Sequence, residues 1–145
     1  MECEGEKLRL IKEMPHIVPS IVAMKHNLRG HISAPSLSSG AGLSALDQAY
    51  NLIKDGHQDA VIVGGLDFNV NRNVIGGMEA FGALTTREDF MEFPEDGARP
   101  FDPERSGTVI SDGGAAMVLA SEKFWKSNSS SENIEEIYCE ISGFG

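Results

Sequence analysis

Two short apolar runs do most to limit what this chain can fold into: Asp59-Ala60-Val61-Ile62-Val63-Gly64-Gly65 and Ala115-Ala116-Met117-Val118-Leu119-Ala120. Neither alternates polar with apolar residues. A short continuous apolar run is the pattern of a strand covered on both faces. Such strands need helices packed above and below them, so the predicted class is α/β, a layered mixed sheet with helices.

The rest of the chain supplies the other layers. Leu43, Leu46, Ala49, Tyr50, Leu52 and Ile53 mostly recur at helical spacing, which predicts a helix from Ala41 to Lys54 with Gly56 as its stop. Val74–Phe81 reads as a second, shorter helix, and Asp89–Asp112, rich in turn residues and acids, as loop. Ser127-Asn128-Ser129-Ser130-Ser131 reads as a surface loop, and Ile134–Ser142 as an edge strand with Ile137, Cys139 and Ile141 on one face.

Charge narrows the function classes. The 145 residues hold 12 basic and 22 acidic side chains, a formal net charge of −10. That excess argues against nucleic acid or an anionic membrane surface as a partner. Five of the basic residues, Lys7, Arg9, Lys12, Lys25 and Arg29, fall within the first thirty positions. No apolar run approaches the roughly 20 residues needed to span a bilayer. Cys3 and Cys139 form no metal-ligand spacing, and neither a metal nor a cofactor is expected. The acidic start, Met1-Glu2-Cys3-Glu4-Gly5-Glu6, is neither a secretory nor a transit signal, so an intracellular protein of the cytoplasm or mitochondrial matrix is expected.

The chemistry concentrates at Ser36-Leu37-Ser38-Ser39-Gly40-Ala41-Gly42, where an extended segment feeds the first helix. A side chain there points into a helix N-terminus, whose unpaired N–H groups favour negative charge. Taken from the residues alone, Ser38 or Ser39 can simply cap the helix. Alternatively, Gly40-Ala41-Gly42-Leu43-Ser44-Ala45 fits a G-x-G-x-x-A nucleotide-binding fingerprint, with Asp67 near the end of the next strand.

Several segments taken together resemble the β-ketoacyl-acyl-carrier-protein synthases, which have a thiolase-type fold. They are Gly30, the run Ser36–Gly42, the helix Ala45–Ile53 and the strand ending at Gly64-Gly65. Arg99-Pro100-Phe101-Asp102-Pro103-Glu104-Arg105-Ser106-Gly107 is similar to that family's R-P-F-D-x-x-R-D-G, and Gly143-Phe144-Gly145 to its G-Y-G. Ser39 to Leu84-Thr85-Thr86 matches the family's spacing without a gap. The resemblance implies a partial N-terminal-type synthase domain over 1–145, supplying three strands of a five-stranded sheet. It also implies an acyl carrier protein as partner, and a homodimer or a completing chain.

In that family a cysteine at the junction attacks an acyl thioester, backbone N–H groups hold the oxyanion, and two histidines in the other half-domain drive decarboxylation of a malonyl thioester. By resemblance the nucleophile position falls on Ser39 and a substrate-gating position on Met78. An unactivated serine needs a neighbouring base. His16, His26, His31 and His57 match no catalytic position of the family.

Ser106 stands for the family's aspartate, Thr108 for its phenylalanine, and Ser111-Asp112-Gly113 for its G-E-G. Pro35 falls in the strand that leads to the nucleophile, where it cannot donate a ladder bond. Arg99, Asp102 and Arg105 are read as an ion-pair scaffold around a buried Phe101, and Met78 as core filler unless it is the gate. The resulting expectation is a divergent acyltransferase of fatty-acid or polyketide synthesis, inactive as this chain alone. The rivals are a non-catalytic interaction subunit and a small nucleotide-binding domain. A marginal fold with an exposed apolar face is also expected.

Overall fold

The structure is a computed structural model and describes residues 14–85, 94–128 and 137–144. In chain order the elements are helix α1 (Ile17–Lys25), helix α2 (Ala41–Lys54), strand β1 (Ala60–Phe68), helix α3 (Arg72–Ala80), a 3-10 turn over Pro94–Gly97, strand β2 (Asp112–Ala120) and helix α4 (Glu122–Asn128). The two strands pair with each other. Ser121 N–H donates to the Asp59 carbonyl at 2.9 Å, and Val70 N–H donates to Asp112 Oδ1 at 2.8 Å, so one strand runs up as the other runs down.

The chain divides into two compact units, one of residues 1–65 with 116–145 and the other of residues 66–115. In the first unit Ala23 of α1, Ala49 of α2 and Val63 of β1 are the buried apolar residues. Helix α2 has the predicted bounds, and Gly56 ends it at φ +74°, a conformation that costs glycine nothing. Helix α1 was not expected. Its sequence, Ile-Val-Pro-Ser-Ile-Val-Ala-Met-Lys, is rich in β-branched residues and carries Pro19. A proline is tolerated there because it lies in the first turn, where the N–H has no helical partner.

In the second unit Asn71 caps α3. Its side chain accepts a hydrogen bond from Val74 N–H at 3.0 Å and donates one to the Phe68 carbonyl at 3.1 Å. Helix α3 starts two residues earlier and ends one earlier than the predicted Val74–Phe81.

The strands differ from expectation in length and cover. β1 runs through Gly64 and Gly65 to Phe68, and β2 starts at Asp112. The residues of this chain do not cover both strands on two faces, in keeping with the exposed apolar face expected of it. Ile62, Leu66 and Phe68 are exposed in β1, as are Met117 and Val118 in β2. Among the described residues two strands form, not three, because Ile137–Ser142 takes no strand and Ile137 and Tyr138 are exposed. The rest of the expected edge strand, 134–136, lies outside the described residues. The expected serine loop begins instead as helix, since α4 includes Ser127 and Asn128. Ser129–Ser131 lie outside the described residues.

Candidate active-site junction

The junction before α2 is a tight turn. Gly40 N–H donates to the Leu37 carbonyl and Ala41 N–H to the Ser38 carbonyl, each at 3.0 Å. Ser38 takes φ +48°, a region that non-glycine residues rarely enter. Gly40 is the helix N-cap and no side chain caps the helix, so the reading of Ser38 or Ser39 as a cap is overturned. The capping position falls on Gly40, which has no side chain to offer the N–H groups of Gly42 and Leu43.

Ser39 is therefore left exposed at the mouth of α2. Its hydroxyl makes no hydrogen bond among the described residues. A strained turn into a helix is the arrangement that holds a nucleophile's side chain out toward a substrate. The helix end adds a favourable field for developing negative charge, but nothing described here takes the proton from the hydroxyl. The approach to the junction is open. A side chain at Gly42 would meet nothing within 4 Å, and one at Gly65 would touch only the Gly42 Cα, at 3.9 Å.

The Arg99–Gly107 loop builds a second constellation. Arg99 pairs with Asp96 at 3.8 Å and with Asp102 at 4.0 Å, and its Nε donates to the Asp96 carbonyl at 3.0 Å. Asp102 Oδ1 accepts from Glu104 N–H at 2.8 Å, and Arg105 Nη1 donates to the Asp102 carbonyl at 3.0 Å. Arg99 and Asp102 make the ion pair of this loop, and Arg105 joins it through the Asp102 backbone carbonyl. Its centre is not a buried ring, however: Phe101 is 97% exposed and adopts φ +66°. The scaffold closes on its own backbone and turns the ring outward.

The end of this loop is pinned to the segment after α3. Thr85 N–H donates to the Thr108 carbonyl at 3.1 Å, and Thr108 N–H to the Ala83 carbonyl at 2.8 Å. The hydroxyls of Thr85 and Ser106 are 2.6 Å apart and partly buried. Gly107, at φ +155°, brings its backbone so close that a Cβ there would lie 2.4 Å from the Leu84 carbonyl carbon and oxygen. These contacts were not foreseen. The signal in the sequence is Gly107 itself, a residue type that permits a close backbone approach without naming its partner.

Met78 is half-buried in α3, and its carbonyl accepts from Ala83 N–H at 2.9 Å. None of His16, His26, His31 and His57 bonds to Ser39. Among the described residues no cluster of His, Cys, Asp or Glu could hold a metal ion, and no helix is long and apolar enough to cross a membrane.

Residues 3–124 match the family described as Beta-ketoacyl synthase, N-terminal domain. A mitochondrial 3-oxoacyl-[acyl-carrier-protein] synthase of Arabidopsis thaliana is 28% identical over 145 residues, which is 94% of this chain and 30% of that protein. The fold is similar to a crystal structure of a beta-ketoacyl synthase from Burkholderia phymatum, with a TM-score of 0.71 and 30% identity over 79% of this chain and 27% of that one. It is also similar to a type II polyketide ketosynthase in complex with its acyl-carrier protein, with a TM-score of 0.72 and 33% identity over 75% and 26% of the two chains. The chain spans 23% to 32% of the length of the curated relatives it matches. By the extent of the family match and by the fold, this chain belongs to the family described as Beta-ketoacyl synthase, N-terminal domain.

Proposed function

We propose that the chain is a divergent acyl-transfer element in which Ser39 occupies the nucleophile position, and that these 145 residues do not condense acyl and malonyl thioesters alone. The observation that carries this reading is the exposed Ser39 hydroxyl, held at the mouth of α2 by a strained turn and with no base bonded to it among the described residues. A helix N-terminus depresses the pKa of a thiol placed there. The test is the Ser39→Cys variant in a background lacking Cys3 and Cys139. Iodoacetamide should label it several-fold faster at neutral pH than an unperturbed cysteine of pKa about 8.5. A rate equal to that of free cysteine would remove Ser39 from the nucleophile position.

Met78 is proposed to border the acyl path as a gate, and Arg99, Asp102 and Arg105 to shape the loop that presents Phe101. The proposed partner is an acyl carrier protein, since one relative's solved complex contains such a protein. Carrier proteins are acidic and so is this chain, so docking would be weak and would lean on Lys7, Arg9, Lys12, Lys25 and Arg29. Lys25 ends α1 and Arg29 follows it, both exposed. A mitochondrial-matrix or cytoplasmic site is proposed on the same kinship.

A second reading, a non-catalytic subunit completed by another polypeptide or a second copy, is favoured by one observation. Leu66, Phe68, Met117 and Val118 stand exposed on paired strands. A two-stranded sheet is marginal by itself, and exposed apolar strands are sites for association.

A further inference from the structure

The segment Ile137–Phe144 lies in the first unit and takes neither helix nor strand. Among the described residues its side-chain links to the helices converge on one residue of α2. Tyr50 Oη donates to the Ser142 carbonyl at 3.4 Å, and the Tyr50 ring meets the Phe144 ring at 5.5 Å between centroids with a 57° tilt. Lys54 Nζ stands 5.5 Å from the centroid of the same Tyr50 ring. The tilted pair is the favoured edge-to-face arrangement, and a cation one turn along the helix adds to the hold on the tyrosine. Toward its start the segment is open to solvent, with Ile137 59% and Tyr138 92% exposed, while Ile141 is half-buried.

We propose that Tyr50 is a latch that clips the strap Ile137–Phe144 onto α2, and that the strap opens locally while α2 stays folded. Three features support this. Among the described residues the side-chain links converge on Tyr50, the strap joins no strand ladder, and α2 has its own helical hydrogen bonds and its buried Ala49. Local opening of this kind belongs to segments with few buried contacts and exposed backbone. The inference does not depend on Ser39 being a nucleophile position, because every contact it uses lies at the far end of α2.

The test follows the strap and α2 by separate probes on the whole chain: the strap by a spin label on Cys139 in a Cys3→Ser background, and α2 by amide hydrogen exchange, each with and without mild urea. Phe144→Ala should raise the ratio of mobile to immobile label about three- to tenfold, the range expected for losing one aromatic pair, and should leave α2 exchange within experimental error of the parent. Tyr50→Phe, which keeps the ring pair and removes only the hydroxyl, should give a smaller rise in the mobile label. If Phe144→Ala leaves the label spectrum unchanged, Tyr50 is not a latch. If the label in the parent chain becomes mobile only at the urea concentration at which α2 loses protection, the strap opens only with global unfolding and the proposal is overturned.

Discussion

The hydroxyls of Thr85 and Ser106 share a short hydrogen bond of 2.6 Å in a partly buried setting, and this pair joins the Arg99–Gly107 loop to the segment after α3. By the resemblance of Arg99–Gly107 to R-P-F-D-x-x-R-D-G, Ser106 stands at an aspartate position of the family. The substitution exchanges a charge for a hydroxyl and still leaves a hydrogen bond to the threonine. A carboxylate at that position would need desolvation offset by further donors, which a neutral hydroxyl does not.

Ser106→Ala should therefore destabilise the chain by about 1 kcal/mol, since it leaves the Thr85 hydroxyl half-buried without its partner. Thr85→Val in the Ser106→Ala background should cost less than Thr85→Val in the parent. Urea unfolding of the four proteins measures the coupling, and additive effects would show that the two hydroxyls do not bond.

Gly107→Ala should cost more, about 3 kcal/mol, because its Cβ would fall on the Leu84 carbonyl and Thr85 nitrogen and because φ +155° is unfavourable for alanine. Backbone atoms cannot swing aside as the end of a side chain can. A change in urea midpoint no larger than that of a surface substitution would contradict the close approach.

Asn71→Ala should cost about 1 kcal/mol by leaving Val74 N–H uncapped at the start of α3. Asn71→Asp and Asn71→Ser should recover most of the loss, since each offers an oxygen to the same N–H. Thermal unfolding followed by circular dichroism distinguishes them.

Much of this was legible in the residues, and the misses have physical causes. The bounds of α2 came from its apolar spacing and from Gly56. Continuous apolar runs located both strands, but Gly64-Gly65 read as a stop although β1 continues through it. A sheet accepts glycine where another backbone comes near, and the Gly65 Cβ position lies 3.9 Å from the Gly42 Cα. Helix α1 was hidden by Pro19 and the β-branched residues around it, whose strand-like preference tertiary packing overrode.

At the candidate site Ser39 was found through the resemblance, whereas the strain that exposes it sits on Ser38, a residue type that gives no warning of positive φ. Phe101 was misread as core because an aromatic beside an ion-pair scaffold suggests burial. A scaffold made of local turns can close without any core beneath it.

Glu122 and Lys126 pair across one turn of α4, and the hydrogen bond and charge of Lys126 hold the Glu122 carboxyl below the usual glutamate range. The lowered carboxyl gives its small stabilisation above the ordinary glutamate pKa, and loses it as pH falls through the depressed folded value. Lys126→Met should return the Glu122 titration, followed by NMR, to the ordinary range. A titration unmoved by the substitution would show that Lys126 is not the cause.

Turnover by the purified 145-residue chain tests the central reading most directly. The chain is incubated with an acyl-carrier-protein thioester and malonyl-carrier protein, and both the β-ketoacyl product and any acyl adduct on Ser39 are followed by mass spectrometry. The account predicts neither product nor adduct above the level of a Ser39→Ala variant, because among the described residues no base bonds the hydroxyl. Product or a stable Ser39 acyl adduct from the parent chain, absent in Ser39→Ala, would contradict it.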